Sequence, residues 1–205
     1  MQITEIKQVG KTNKYKIYVD DEFFATLLDE DIVKNHLKSG LEIEEEKLKT
    51  ICFEGQKRVA LDGAMKLLGT YPKTEKELRR YLKEKGYTLD TIDYTCEKLK
   101  EYKFLDDGSF AEMYIKANKS RKGKRLIGFE LKQKGVPGHI ISLKLENLEE
   151  EPCLPLALKF MKGKPKDEKT KQKLYRHLAS KGFGSESIFD ALRQIFKEDE
   201  FWKLE

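Results

Sequence analysis

A chain of 205 residues with 38% charged side chains, 39% apolar side chains and a mean hydropathy of −0.68 is long enough to bury a core. No apolar run reaches membrane length and no basic-then-apolar leader opens the chain, so a cytoplasmic protein with no membrane partner is expected. The net charge of +5 is unevenly spread: residues 1–56 hold eight basic and twelve acidic side chains, a balance of −4, which leaves +9 to the remainder.

Ile3 to Val9 alternates loosely between apolar and polar residues, and Gly10-Lys11-Thr12-Asn13 suits a turn. Tyr15, Ile17 and Val19 then alternate strictly with Lys16 and Tyr18, the period of a strand. Asp20-Asp21-Glu22 makes a second polar turn and Phe23 to Leu28 a third short strand, which together predict an antiparallel meander. From Asp29 the period becomes helical. Ile32, Val33, His36 and Leu37 share one face that Ser39-Gly40 closes, and Leu48, Ile51 and Cys52 begin a longer helical run.

From Leu61 onward the chain reads as a repeat anchored on Gly86, Gly135 and Gly182. Each glycine closes a tetrad, Leu82 to Lys85, Leu131 to Lys134 and Leu178 to Lys181, and is followed by Tyr87, Val136 or Phe183. A glycine here suits the left-handed position that ends a helix, because it has no Cβ to clash. Counted from the glycines, Leu61, Phe110 and Ala157 correspond, then Ala64, Met113 and Phe160, then Met65, Tyr114 and Met161, a first helix. Leu78, Ile127 and Leu174 lie one turn before the tetrads on a second helix. Ile92, Ile141 and Ile188, then Cys96, Leu145 and Leu192, then Leu99, Leu148 and Ile195 give a third.

The expected fold is therefore mainly α: tandem three-helix repeats in an elongated curved array, preceded by a small N-terminal antiparallel β/α segment. Boundaries fall at residues 1–56 for that segment, 57–106 for the first repeat, 107–151 for the second and 152–205 for the third, with the acidic stretch from Glu146 to Pro152 as the last linker.

Chemistry is sparse. His36, His139 and His177 form no ligand pair at helical spacing, and no GxxxxGK[ST] loop appears, so neither a metal, a cofactor nor nucleotide hydrolysis is expected. Asp106-Asp107 could be offered as paired acids for metal-assisted phosphoryl transfer, but adjacent aspartates before an amphipathic helix are better explained as its cap and first-turn charge. Cys52, Cys96 and Cys153 are odd in number and widely spaced, as buried reduced cysteines would be. A protein that binds rather than catalyses is expected.

The basic residues recur in register. Arg79, Arg80, Lys83 and Lys85 decorate the second helix of the first repeat; Lys124, Arg125, Lys132 and Lys134 that of the second; Lys171, Lys173, Arg176 and Lys181 that of the third. Between Lys119 and Lys134 seven basic residues, Arg121 and Lys122 among them, face only Glu130. The plainer reading is a lysine-rich solvated surface. The sharper one is a ladder that tracks phosphates through counterion release, or that meets the acidic rim of a protein. Its candidate contacts are Arg79, Arg80, Lys83, Lys119, Arg121, Lys122, Lys124, Arg125, Lys132, Lys171, Lys173 and Arg176. Phe110, Tyr114 and Phe160 sit at core positions and are not read as base-stacking platforms.

Three stretches carry a resemblance to a known family: Phe104 to Ala111 (FLDDGSFA), Gly123 and Arg125 before Glu130 to Gly135 (ELKQKG), and Thr74 to Leu78 (TEKEL) leading to Leu82 to Tyr87 (LKEKGY). Over residues 57–198 the chain resembles the RecX regulatory proteins, modulators of the RecA recombinase in DNA repair, recombination and the SOS response. The resemblance implies a monomer without cofactor whose partners are the RecA filament, the single-stranded DNA within it and free DNA. It implies binding in the filament groove, where such proteins restrain growth, ATP hydrolysis and strand exchange. Lys73 and Lys122 stand where the family's turn carries arginine, which argues against bidentate recognition there. The alternative is a stand-alone, sequence-independent nucleic-acid-binding protein acting through the same basic helical face.

Overall fold

The computed structural model describes residues 1–146, Leu148 and 152–196, in two units that divide between Asp106 and Asp107. The first unit opens with the expected meander, β1 (Ile3–Gln8), β2 (Lys14–Val19) and β3 (Glu22–Leu28), antiparallel in that order. Ile3 pairs with Val19 and Ile17 with Ala25, so the alternating residues share one face, and Leu37, Leu48 and Cys52 close the core beneath them. The two-residue turn between β2 and β3 needs positive φ at both positions; Asp20 and Asp21 supply it at 49° and 68°.

Helix α1 (Asp29–Lys34) is shorter than the spacing predicts. It ends before Ser39-Gly40 because His36 adopts φ +52°, and Leu37 N–H turns back to Ile32 O at 3.0 Å. That reversal sends Leu37 into the core and leaves Val33, predicted to share the buried face, 73% exposed.

Helix α2 (Glu45–Thr70) runs unbroken from the sheet to the first three-helix module. Leu48 and Cys52 seal the sheet; Ala60 and Ala64 pack against α3 (Glu75–Glu84) and α4 (Leu89–Glu101). Where the two cores meet, Gln56 is buried. Its amide Nε2 donates to Thr26 O at 2.8 Å and Gly86 O at 3.3 Å, and its Oε1 accepts from Thr88 N at 2.9 Å and Thr91 Oγ1 at 3.0 Å. One side chain thus satisfies polar groups of β3, the α3–α4 turn and α4, groups that would be costly to bury unpaired.

The second unit holds α5 (Asp107–Asn118), α6 (Lys124–Lys134) and α7 (Gly138–Glu146), then α8 (Leu154–Met161), α9 (Glu168–Ser180) and α10 (Ser185–Phe196). Asp107 begins α5, as its reading as first-turn charge expects. Leu78, Leu82, Ile127, Leu131, Leu174 and Leu178 are all fully buried, and Ile92, Ile141 and Ile188 follow them into the three cores. The linker expected over 146–152 and the end of the last repeat lie largely outside the described residues.

The three tetrads share one hydrogen-bond pattern. Gly86 N–H donates to Lys83 O at 2.9 Å and Tyr87 N–H to Leu82 O at 3.3 Å; Gly135 to Lys132 O at 3.0 Å and Val136 to Leu131 O at 3.0 Å; Gly182 to Ala179 O at 2.9 Å and Phe183 to Leu178 O at 3.4 Å. All three glycines have φ between 83° and 90°. This is the helix ending in which a left-handed residue closes the last turn and an apolar residue after it packs on a leucine before it. The leucine, the glycine and the following apolar residue are therefore one device.

The first helices keep the register that the glycines set only in part. Ala64, Phe110, Ala157 and Met161 are buried as expected, whereas Met65 and Met113, expected on the core face, are exposed; the buried residues four apart are Ala60 with Ala64, Ala111 with Ile115, and Ala157 with Met161. Those pairs stand 26 and 22, 24 and 20, and 25 and 21 residues before their glycines. The turns that follow the first helices, Tyr71 to Thr74, Lys119 to Gly123 and Lys162 to Asp167, also differ in length.

Within the second unit the two modules meet through main chain. Gly123 N–H donates to Lys181 O at 2.9 Å and Arg125 N–H to Gly182 O at 3.3 Å, so the carbonyl end of α9 caps the amide end of α6. A Cβ on Gly123 would lie 2.2 Å from Gly182 O, and one on Gly182 would lie 2.4 Å from Leu126 N. Gly86 is used comparably in the first unit, where its carbonyl accepts from Thr26 N–H of β3 at 2.8 Å.

Candidate nucleic-acid interface

The second helices carry the predicted cations because each buries only a narrow leucine stripe and turns the rest outward. Their starts are fixed in three ways. Thr74 and Glu77 form a reciprocal capping box on α3, Asp167 accepts from Thr170 N at 2.7 Å on α9, and α6 uses the carbonyls of the α9 turn.

The structure separates the candidates into two groups. Arg79 is half-buried and bonded to Glu75 at 2.8 Å and Asp93 at 2.5 Å, and these hydrogen bonds hold its guanidinium still more firmly charged. Lys122 is also tied down: its Nζ meets Glu130 at 2.7 Å and Tyr114 Oη at 3.4 Å, with the Tyr114 ring 5.6 Å away. Burial opposes charge on both partners, yet their mutual hydrogen bond leaves Lys122 above the ordinary lysine range and Glu130 below the ordinary carboxylate range. Lys171 reaches Glu168 at 3.9 Å, and Lys119 and Lys124 are half-buried. By contrast Lys83, Arg121, Arg125, Lys132, Lys173 and Arg176 are exposed, and so is Arg80, whose pair with Glu84 at 3.8 Å is solvated and of little energetic weight.

Counting back from the glycines places Arg80, Phe129 and Arg176 at one outward position. Phe129 was not among the predicted contacts, and it is 58% exposed, with Arg125 one turn before it and Lys132 just under a turn after. Phe110 is buried, while Tyr114 and Phe160 are half-buried, so none of the three is an open platform. Among the described residues no group of three or more His, Cys, Asp or Glu side chains could hold a metal ion, and no helix is long and apolar enough to cross a membrane. The three cysteines are buried thiols; burial pushes Cys52 up to about 12 and Cys96 to about 11.

Three family models match in tandem: "RecX, first three-helix domain" over residues 60–99, the second three-helix domain over 106–145 and the third over 150–192. The chain belongs to the RecX family. It is 34% identical to the regulatory protein RecX of Clostridium tetani over 97% of this chain and 96% of that one, and 35% identical to that of Clostridium perfringens over 95% and 96%. Its fold is similar to a crystal structure of regulatory protein RecX, with a TM-score of 0.60 at 23% identity, covering 97% of this chain and 99% of that one. A crystal structure of RecX from Lactobacillus salivarius matches 68% of this chain and 96% of its own at the same TM-score and 25% identity.

The third RecX module adds cations that register reasoning on the second helix passed over. Lys162, Lys164, Lys166 and Lys169 are exposed in and just after the turn between α8 and α9, visible beforehand as the run KGKPKDEK. Lys164 Nζ lies 3.2 Å from the Phe160 ring centroid, and Phe160 stacks on His177 at 4.8 Å. Burial, then Lys181 and Lys164, hold His177 below its usual range.

Proposed function

We propose that this RecX-family chain binds the RecA recombinase filament on single-stranded DNA, lies in its groove, and restrains filament growth, ATP hydrolysis and strand exchange. It does so as a cytoplasmic monomer, with repeats bounded near residues 57, 107 and 152, and through contact rather than catalysis. Family membership supports the regulatory role. The observation that carries the binding mode is the exposed cationic side of the second helices: Arg80 and Lys83 on α3, Arg125 and Lys132 on α6, Lys173 and Arg176 on α9. Such a surface suits phosphates, whose counterions are released on contact, and many weak contacts on linked modules raise one another's effective concentration. Lys122 and Arg79 serve mainly to brace the modules that present it.

Replacing both Lys124 and Arg125 with glutamate tests the reading. Inhibition of RecA-catalysed ATP hydrolysis on single-stranded DNA should weaken while far-UV circular dichroism stays unchanged; full inhibition with the fold intact removes this face from the mechanism. The second reading, a stand-alone nucleic-acid binder, rests on the same cations. It predicts affinity for bare strands equal to that for filaments and a log affinity falling by about 0.7 per phosphate contact with log salt.

A further inference from the structure

Phe129 stands out on a helix that otherwise turns charge to solvent. It occupies the outward position that Arg80 and Arg176 hold in the neighbouring repeats, and it is 58% exposed. Arg125 and Lys132, four residues before and three after, lie on the same helical face with Cβ atoms about 5–6 Å from its own. Both are exposed. Glu130, the single acid of α6, is bonded to Lys122 and Tyr114, so its charge is already answered there.

We propose that Phe129 is a stacking platform for an unpaired base of single-stranded nucleic acid, with Arg125 and Lys132 holding the phosphates on either side. An exposed ring between two cations matches the two-part chemistry of an unpaired strand, a π face for each base and a charge for each phosphate. The charge of the patch favours a polyanion over an apolar protein knob. The ring is sequence-tolerant, as every base has a π face, so the site adds grip without reading sequence. The inference rests on the DNA half of the function proposed above and does not require the recombinase.

The test uses the full chain with two fluorescein-labelled strands of equal length, an oligodeoxythymidylate and its abasic counterpart, read by fluorescence anisotropy. The wild-type protein should prefer the base-bearing strand by about tenfold. Phe129→Ala should lose that preference with the salt slope unchanged, Phe129→Tyr should keep it, and Arg125→Ala should weaken both strands alike and lower the slope by about 0.7. Equal wild-type affinity for the two strands overturns the proposal, as does a preference that survives in Phe129→Ala. Loss of filament inhibition by Phe129→Ala with bare-strand affinity intact also overturns it, and assigns the face to a protein contact. A protein that shows the strand preference but no effect on the recombinase refutes the regulator reading while upholding the stacking site.

Discussion

Gly123→Ala is expected to weaken the second unit from a single methyl group. The added carbon would sit 2.2 Å from Gly182 O and 2.4 Å from Phe183 N, and neither atom can swing aside because both are main chain. Relief requires α6 to draw back from the α9 turn, which lengthens Gly123 N–H to Lys181 O and Arg125 N–H to Gly182 O. Two hydrogen bonds of about 1 kcal/mol each, plus the poorer fit of alanine than glycine at a helix start, give a loss of about 2–3 kcal/mol. Urea unfolding followed by far-UV circular dichroism measures it, and native-state hydrogen exchange at the first α6 amides locates it. Gly63→Ala supplies the opposite sign: Gly63 lies in the interior of α2 with nothing within 4 Å of an added Cβ, so alanine there should stabilise by about 0.5–1 kcal/mol. If Gly123→Ala unfolds at the wild-type urea concentration or above it, the main-chain docking has no energetic weight and the reasoning fails.

Two further outcomes follow from polar groups of the first unit. Gln56→Leu keeps the apolar bulk but leaves Thr88 N–H and the Thr91 hydroxyl without their shared acceptor, and a loss of about 3 kcal/mol in urea unfolding is expected; a loss under about 1 kcal/mol would mean water takes over those bonds. Asp31 Oδ2 is buried without a hydrogen-bond partner, its carboxyl pressed toward Gly55 and near Cys52, and desolvation raises its pKa against the backbone bond from Leu28 and the charge of Lys34; Glu30 and Asp29 add to the rise. A raised folded pKa stabilises the protein at low pH and is lost as pH rises through it, so Asp31→Asn should raise the midpoint of thermal unfolding at neutral pH and lose that advantage in acid. An advantage independent of pH would assign the effect to something other than the carboxylate.

Much of the fold was legible because its signals are local. Tyr15, Ile17 and Val19 announce β2 by alternation alone, and the leucine, glycine and apolar residue of each tetrad must occur together to close a helix. What escaped depends on geometry across a turn. The buried faces of the first helices of the first two repeats shift against glycines that lie a turn and a helix away, and α1 stops at a histidine rather than a glycine in the left-handed region. In the candidate interface the recurrence of cations was visible, but their commitments were not. Lys122 and Glu130 are eight residues apart and meet only once the α5–α6 turn folds, whereas Phe129 could have been found by asking what replaces Arg80 and Arg176 in the middle repeat.

Two of the glycines that end second helices, Gly86 and Gly182, bear on how neighbouring elements are joined. At Gly86 the neighbour is a strand and at Gly182 the start of another helix, yet both engage the bare peptide that a missing side chain uncovers. Such a joint is specified by what is missing: with glycine at Gly182 and at Gly123 opposite it, two helix ends meet without a matched set of side chains, and one methyl group at either position is enough to part them.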